Sequence, residues 1–269
     1  MHDFLHPDAP GHLWRKACRY LEPTEAEAEL LRRGGMSPRG VERGQSAQRM
    51  GEPVRVMQVV RRGAFLEQRV TRDGRRQIQR VIMPGDLIGT HDLALRTHTA
   101  DVYAVTEAEV VDVPRSIVSE STDTRLARLF YAFRMVEQAI MADRMQTVAR
   151  ADGETRLLHF LLELNARQRL TCPMVENAVW LPLTQSDLGD ALGLTNVYVS
   201  KLMGALRRQD VIELRGEMLT LRDREALAQR LGFEDRYASI DPEWLMPSPA
   251  ATHAPSARPR GFAASTPAE

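Results

Sequence analysis

Between Thr184 and Gln209 the sequence TQSDLGDALGLTNVYVSKLMGALRRQ sets polar side chains where they could meet a base edge or a phosphate. Val199, Leu202, Met203 and Leu206 recur at helical spacing and belong to an inward face. Asn196, Val197, Tyr198, Ser200 and Lys201 are left facing out. The chemistry of that outward set suits duplex DNA. An amide side chain pairs with adenine, lysine donates to guanine acceptors, and valine can only touch a thymine methyl. Thr184, Ser186, Tyr198, Ser200, Arg207 and Arg208 are candidate phosphate contacts, which position a protein without specifying sequence.

The elements that would hold these residues are legible. Thr184 is placed to cap a first helix, and Asp187 puts an acid in its first turn. Leu188 and Leu192 share one face, and Gly189 leaves room for a second helix to cross closely. Gly193 suits the left-handed residue that ends a helix, Leu194 packs inward, and Thr195 is the next cap. This is the helix-turn-helix pattern, although an ordinary αα-hairpin obeys the same packing rules. The flanks narrow the choice. An apolar helix is expected over 155–169, a short strand over 179–183, and a two-stranded wing from Ile212, Leu214, Leu219 and Leu221. Arg215 at the wing tip could reach a phosphate or simply be a solvated turn residue. Together these elements make a winged helix.

Upstream, the periodicity is two-fold. VRVMQVV (54–60), AFLEQRV (64–70), RRQIQRVIM (75–83), DVYAVT (101–106) and EVVDVP (109–114) read as short strands separated by turn signals. Such spacing indicates a sandwich, jelly roll or barrel. Asp86 and Asp92 read as turn residues. A long helix follows over 116–150, in which Leu126, Leu129, Phe133, Val136 and Ile140 alternate three- and four-residue steps, a candidate dimer seam. Packing of that helix on its own domain is the alternative. Asp152-Gly153 marks a hinge. Residues 1–20 read as a loosely ordered arm, 23–35 and 223–237 as short helices, and 246–269, rich in Pro, Ala and Ser, as a disordered tail. The expected units are 20–115, 116–150 and 151–235, followed by that tail.

Composition removes whole classes of function. The 269 residues carry 36 basic and 36 acidic side chains, so the chain is no histone-like electrostatic binder. Charge concentrated on one face remains compatible with sequence-specific binding. Two distant cysteines, Cys18 and Cys172, cannot supply a four-thiolate site and fit reduced thiols in a cytoplasmic protein. No signal peptide or membrane-spanning run is apparent, and no partner membrane is expected. No triad spacing, phosphate-binding loop or metal-ligand cluster suggests an enzyme, and no cofactor or metal is expected.

The order of a β-domain with DGRRQI (73–78) and PGDLIG (84–89), a seam helix, the Arg156 helix and LTQSDLGDALGLTNVYVSKLMGALRRQDVI (183–212) resembles the Crp-Fnr family. The likeness spans roughly residues 20–235. It implies an α+β fold: an N-terminal jelly-roll domain of the cyclic-nucleotide-binding type, a long dimerisation helix and a C-terminal winged helix-turn-helix. It also implies a homodimer on a two-fold duplex DNA site, with RNA polymerase as a further partner. Alignment with members that read bases through Arg-Glu-x-x-x-Arg puts Asn196, Val197 and Lys201 in those places, so an altered, A·T-tolerant site is expected. Cyclic-AMP-binding members follow PGD-x-x-G with Glu, where this chain has Thr90, and grip the phosphate with Arg-Ser, where it has His98 and Thr99. Their base-contacting Thr-Ser pair falls near Met141 and Ala142, which lack hydroxyls. The pocket is therefore degenerate, and the small-molecule effector is other than cyclic AMP, or none. The cluster cysteines of the oxygen-sensing branch are missing, and His91 and His98 read as loop polar residues rather than haem ligands. The competing function is a nucleotide-responsive sensor or scaffold whose winged helix meets protein.

Overall fold

The computed structural model describes residues 11–22, 24–27, 37–115, 125–172 and 175–246. The expected tail, most of the 23–35 helix and the start of the long helix lie outside these residues. A first helix, α1 (His12–Ala17), precedes eight short strands: β1 (Arg39–Val41), β2 (Ser46–Gln48), β3 (Val56–Arg62), β4 (Phe65–Val70), β5 (Arg76–Ile82), β6 (Leu87–Ile88), β7 (Asp101–Ala104) and β8 (Ala108–Pro114). They form two four-stranded antiparallel sheets, ordered β1-β8-β3-β6 and β2-β7-β4-β5. Phe65, Ile82, Ile88, Val102 and Val110 fill the space between them. Burial alternates along β7 and most of β8, whereas β3, β4 and β5 carry runs of three or four buried residues because both of their faces are covered.

The long helix α2 (Arg125–Arg150) is followed without a gap of more than two residues by α3 (Gly153–Thr171). Asp152 caps α3 by accepting the Thr155 N–H, so the hinge is a single capped break rather than a loose linker. The winged helix then comprises β9 (Ala178–Trp180), α4 (Gln185–Leu192), α5 (Asn196–Arg208), β10 (Ile212–Arg215), β11 (Met218–Leu221) and α6 (Arg224–Leu231). Its sheet runs β10-β11-β9, so the expected strand at 179–183 is the third strand of the wing sheet. Leu157, Leu161, Leu188, Leu192, Val199, Leu206 and Leu219 share one core, which also takes in Leu66 and Ile78 from the sensor sheet.

Three expectations need correction. The amino-terminal arm is not loose from residue 12 onward: Leu13, Lys16 and Ala17 of α1 are buried. Apolar residues every three or four positions signalled that helix, but the Pro7–Gly11 break masked it. The seam residues are mostly spent inside the chain. Leu126, Leu129 and Phe133 are 4%, 0% and 3% exposed, packed with Leu13, Met57, Val113 and Tyr237. Val136 and Ile140 are half-buried against the same cluster. Periodicity names an apolar face; it does not name what covers it. Finally, the helix expected to reach residue 237 stops at Gly232, whose φ of 60° gives a left-handed cap. Beyond it, 3-10 turns at Arg236–Ser239 and Glu243–Leu245 run back onto α2 and α1.

Candidate nucleic-acid interface

The two helices are locked at their starts by side chains that the sequence names. Thr184 and Asp187 form a capping box: Asp187 N donates to Thr184 Oγ1 at 3.1 Å, and Thr184 N donates to Asp187 Oδ2 at 2.9 Å. The Thr184 hydroxyl also donates to Asp187 Oδ2, at 2.7 Å. Its proton is therefore committed, and in this arrangement Thr184 is a cap rather than a phosphate donor. Thr195 accepts from Tyr198 N at 3.2 Å and starts α5. Gly193 has φ of 66°. At Gly189 a Cβ would stand 2.7 Å from the carbonyl oxygen of Leu194, so the close crossing demands glycine.

The outward face of α5 is open. Asn196, Val197, Tyr198, Ser200, Lys201, Arg207 and Arg208 are all exposed, while Val199, Leu202, Met203 and Leu206 are buried. Val197 is 60% exposed, which rules out a buried, silent valine there. Asn196 Oδ1 accepts the Val197 N–H at 2.7 Å. Pairing with both groups of an adenine edge would require that local bond to open, since the carbonyl is one half of the bidentate pattern. The Tyr198 ring lies over the hinge: a Cβ on Gly153 would come within 2.4 Å of Tyr198 Cε1. Ser186 is exposed in the first turn of α4. Arg215 stands at the wing turn, 82% exposed along its side chain and paired with Glu213, which also holds Arg222 at 3.1 Å.

The degenerate pocket residues are turned to a different task. Gly89 (φ of 80°) leads into a 3-10 turn over Thr90–Asp92, and Asp92 is fully buried. Its carboxylate accepts the Thr99 hydroxyl at 2.8 Å and the Gln48 amide at 3.3 Å, and lies 3.1 Å from His98 Nδ1. Asp92 sits in a turn, as expected, but is also a buried hub with His98 and Thr99 as its partners. Beneath them Arg80, also buried, pairs with Glu137 of α2 and Glu67. Burial pushes the neighbouring His91 below its ordinary value, against the pull of Glu67 and Asp92. An isolated buried arginine would be costly; two carboxylates and the Leu87 carbonyl engage the terminal nitrogens of this one, while its Nε is left without a hydrogen-bond partner. A cleft of about 1150 Å³ opens above, between β4, β5, α2 and α4, with Thr99, Met141 and Ala142 in its walls.

Sequence reasoning missed the ionic contacts that fix the winged helix to the sensor. Arg76 on β5 donates from Nε to Asp190 Oδ2 at 2.7 Å and from NH2 to Asp187 Oδ1 at 2.6 Å, so one guanidinium spans two carboxylates on α4. Asp86, read as a turn residue, is 4% exposed and meets Lys16 Nζ at 3.1 Å and the Arg167 guanidinium of α3. Burial alone would raise its carboxyl; Arg167, Lys16 and the Met83 N–H hold it well below the usual carboxylate range. Arg167 reaches on to Glu163 at 3.5 Å, and Arg144 of α2 grips Glu163 at 2.6 and 2.8 Å. Arg167 and Glu163 are four residues apart on one helix, but no spacing rule joins the other pairs.

Comparison with known proteins agrees with this architecture. The family model of the cyclic nucleotide-binding domain matches residues 38–124, and that of the Crp-like helix-turn-helix domain matches residues 155–230. The fumarate and nitrate reduction regulatory protein of Yersinia pestis is 24% identical over 196 residues, spanning 71% of this chain and 77% of that protein. Among solved structures, FixK2 of Bradyrhizobium japonicum is 28% identical with a TM-score of 0.64, covering 72% of this chain and 96% of FixK2. A CRP-family transcriptional regulator of Thermus thermophilus shares the fold at 20% identity and a TM-score of 0.56, covering 72% of this chain and 96% of that one. With the cyclic nucleotide-binding domain and the Crp-like helix-turn-helix domain matched in succession along it, the chain belongs to the Crp-Fnr family of transcription regulators.

Proposed function

We propose that the chain is a cytoplasmic homodimer that binds a two-fold DNA site, with Asn196, Val197 and Lys201 at the base edges and Ser186, Tyr198, Ser200, Arg207, Arg208 and Arg215 as candidate phosphate contacts. The observation that carries this reading is the fully open outer face of α5, held rigid by caps at its own start and at that of α4. A second, separate face supports the dimer. On α2 the residues Tyr131, Met135, Gln138, Ala142, Met145 and Ala149 follow steps of four and three and line one side of the helix, with Tyr131, Met135 and Met145 well exposed. At 100° per residue this stripe lies opposite Leu126, Leu129 and Phe133, so both faces serve at once. We place the seam on this stripe instead of the buried one.

Cyclic AMP is not the effector in this reading. His98 and Thr99, in the phosphate-gripping positions, are occupied by Asp92, and Met141 and Ala142 offer no hydroxyl to a base. Selection of bound DNA from a random pool by the purified protein, with and without cell extract, tests the proposal. Enrichment of a two-fold site with steeply salt-dependent binding is the expected result. An asymmetric site refutes the dimer; no enrichment, with salt-insensitive capture of protein instead, favours the scaffold.

A further inference from the structure

The first and last described segments of the chain meet beneath α2. Helix α1 and the segment Arg236–Leu245 both lie outside residues 38–124 and 155–230, the parts matched by the family domains. Tyr237 is 1% exposed beneath α2, its ring centroid 6.2 Å from that of Phe133. Lys16 Nζ of α1 donates to the Tyr237 hydroxyl at 3.2 Å, and the Tyr20 hydroxyl donates to the Tyr237 carbonyl at 2.9 Å. Arg236 grips Asp143 of α2 with two bonds, at 2.7 and 2.9 Å. Arg128 donates to the Met246 carbonyl at 2.9 Å, and Leu245 is buried with Leu126 and Leu129. On the other side, α1 reaches α3 through the Arg15 bond to the Thr171 carbonyl at 3.3 Å, and Arg19, just past α1, donates to the Arg169 carbonyl at 2.9 Å.

A winged helix attached only through the Asp152–Gly153 hinge could swing about it. Arg76 holds the unit to the sensor sheet through Asp187 and Asp190, and here the unit's far end is also tied back to α2, which adds a further mounting point. We infer that the two chain ends form a clasp that fixes the winged helix in a DNA-competent orientation and does mechanically what an effector would otherwise do. In the clasped state the outer face of α5 is open to solvent, as contact with DNA requires. An interior in which Asp92 already engages Thr99 and His98, and Arg80 already engages Glu137, agrees with an orientation set from outside the pocket.

This inference rests on the DNA-binding reading, and its test keeps the two apart. Asp143 and Arg236 are both partly exposed, at 42% and 32% of their side chains, so changing them tests the clasp without emptying the core. Full-length Asp143→Arg, Arg236→Asp and the double exchange are compared for two properties. One is hydrogen exchange at the hinge amides of residues 151–156; the other is affinity for the selected site with no small molecule added. The wild type binds without additive. Each single exchange speeds hinge exchange and weakens binding by at least about fivefold, the scale of a partly exposed ion pair made repulsive, and the double exchange recovers most of both. Tyr237→Ala acts in the same direction more strongly. Unchanged hinge exchange in the single variants, tighter binding by them, or a wild type that binds only with extract overturns the clasp. If hinge exchange responds as stated but no variant, nor the wild type, binds DNA, the clasp stands and the DNA reading falls.

Discussion

Replacing Phe133 and Met135, two residues apart on α2, separates the inner face of that helix from its outer one. Phe133 is 3% exposed, with the Tyr20 ring at 5.7 Å, the Tyr237 ring at 6.2 Å and Lys16 Nζ at 4.7 Å from its centroid. Phe133→Ala removes the buried ring, two aromatic pairs and a cation–π contact, a loss of about 3–5 kcal/mol. At a urea dependence of roughly 2–3 kcal/mol per molar, the unfolding midpoint falls by about 1–2.5 M. Met135 is 60% exposed. Met135→Glu therefore changes the stability of the isolated chain by no more than about 0.5 kcal/mol. At the centre of a two-helix seam, however, it buries a carboxylate opposite its own copy and weakens the dimer at least about tenfold. Urea unfolding at low protein concentration and sedimentation velocity over a concentration series read the two effects independently. Should Phe133→Ala dissociate the dimer with stability intact, or Met135→Glu unfold the chain and leave the dimer whole, the assignment of the two faces is refuted.

Other consequences are as direct. Asp86→Asn leaves Lys16 and Arg167 buried against a neutral amide, and loses about 3–5 kcal/mol in chemical denaturation. The folded-state pKa of Asp86 is depressed, so its contribution is present above the unfolded value of about 4 and is lost as pH falls below it. Acid unfolding of the Asn variant is correspondingly flatter there. Gly189→Val sets a Cβ 2.7 Å from the Leu194 carbonyl, which parts the two helices at a cost of about 1–3 kcal/mol or more; hydrogen exchange in 185–199 and loss of DNA binding report it. Lys201→Ala relaxes preference at one base pair by ~1–3 kcal/mol in competition binding, whereas uniform weakening across sequences makes it a phosphate contact.

Local signals carried the parts of the fold whose causes are local. Thr184, Asp187, Gly193 and Thr195 act within four residues of themselves, so caps and turn were legible in the string and appear as read. Strand alternation and the wing turn at Gly216, with φ of 59°, are equally short-range. The exposed face of α5 followed from helical spacing alone, because a helix with one buried stripe must expose the opposite one. Periodicity could not tell which surface covers a stripe. Leu126, Leu129 and Phe133 looked like a seam, and α1 and Tyr237 cover them instead. Nor could it foresee that Asp86 meets Lys16 and Arg167, 70 and 81 residues away, or that Arg76 spans Asp187 and Asp190, 111 and 114 residues on. A charge in sequence has no partner until folding supplies one, and burial then makes the pairing obligatory. The amino-acid string determined the frame of a DNA-reading winged helix; only the tertiary structure decided what holds it in place, since that depends on which distant charges share one desolvated site.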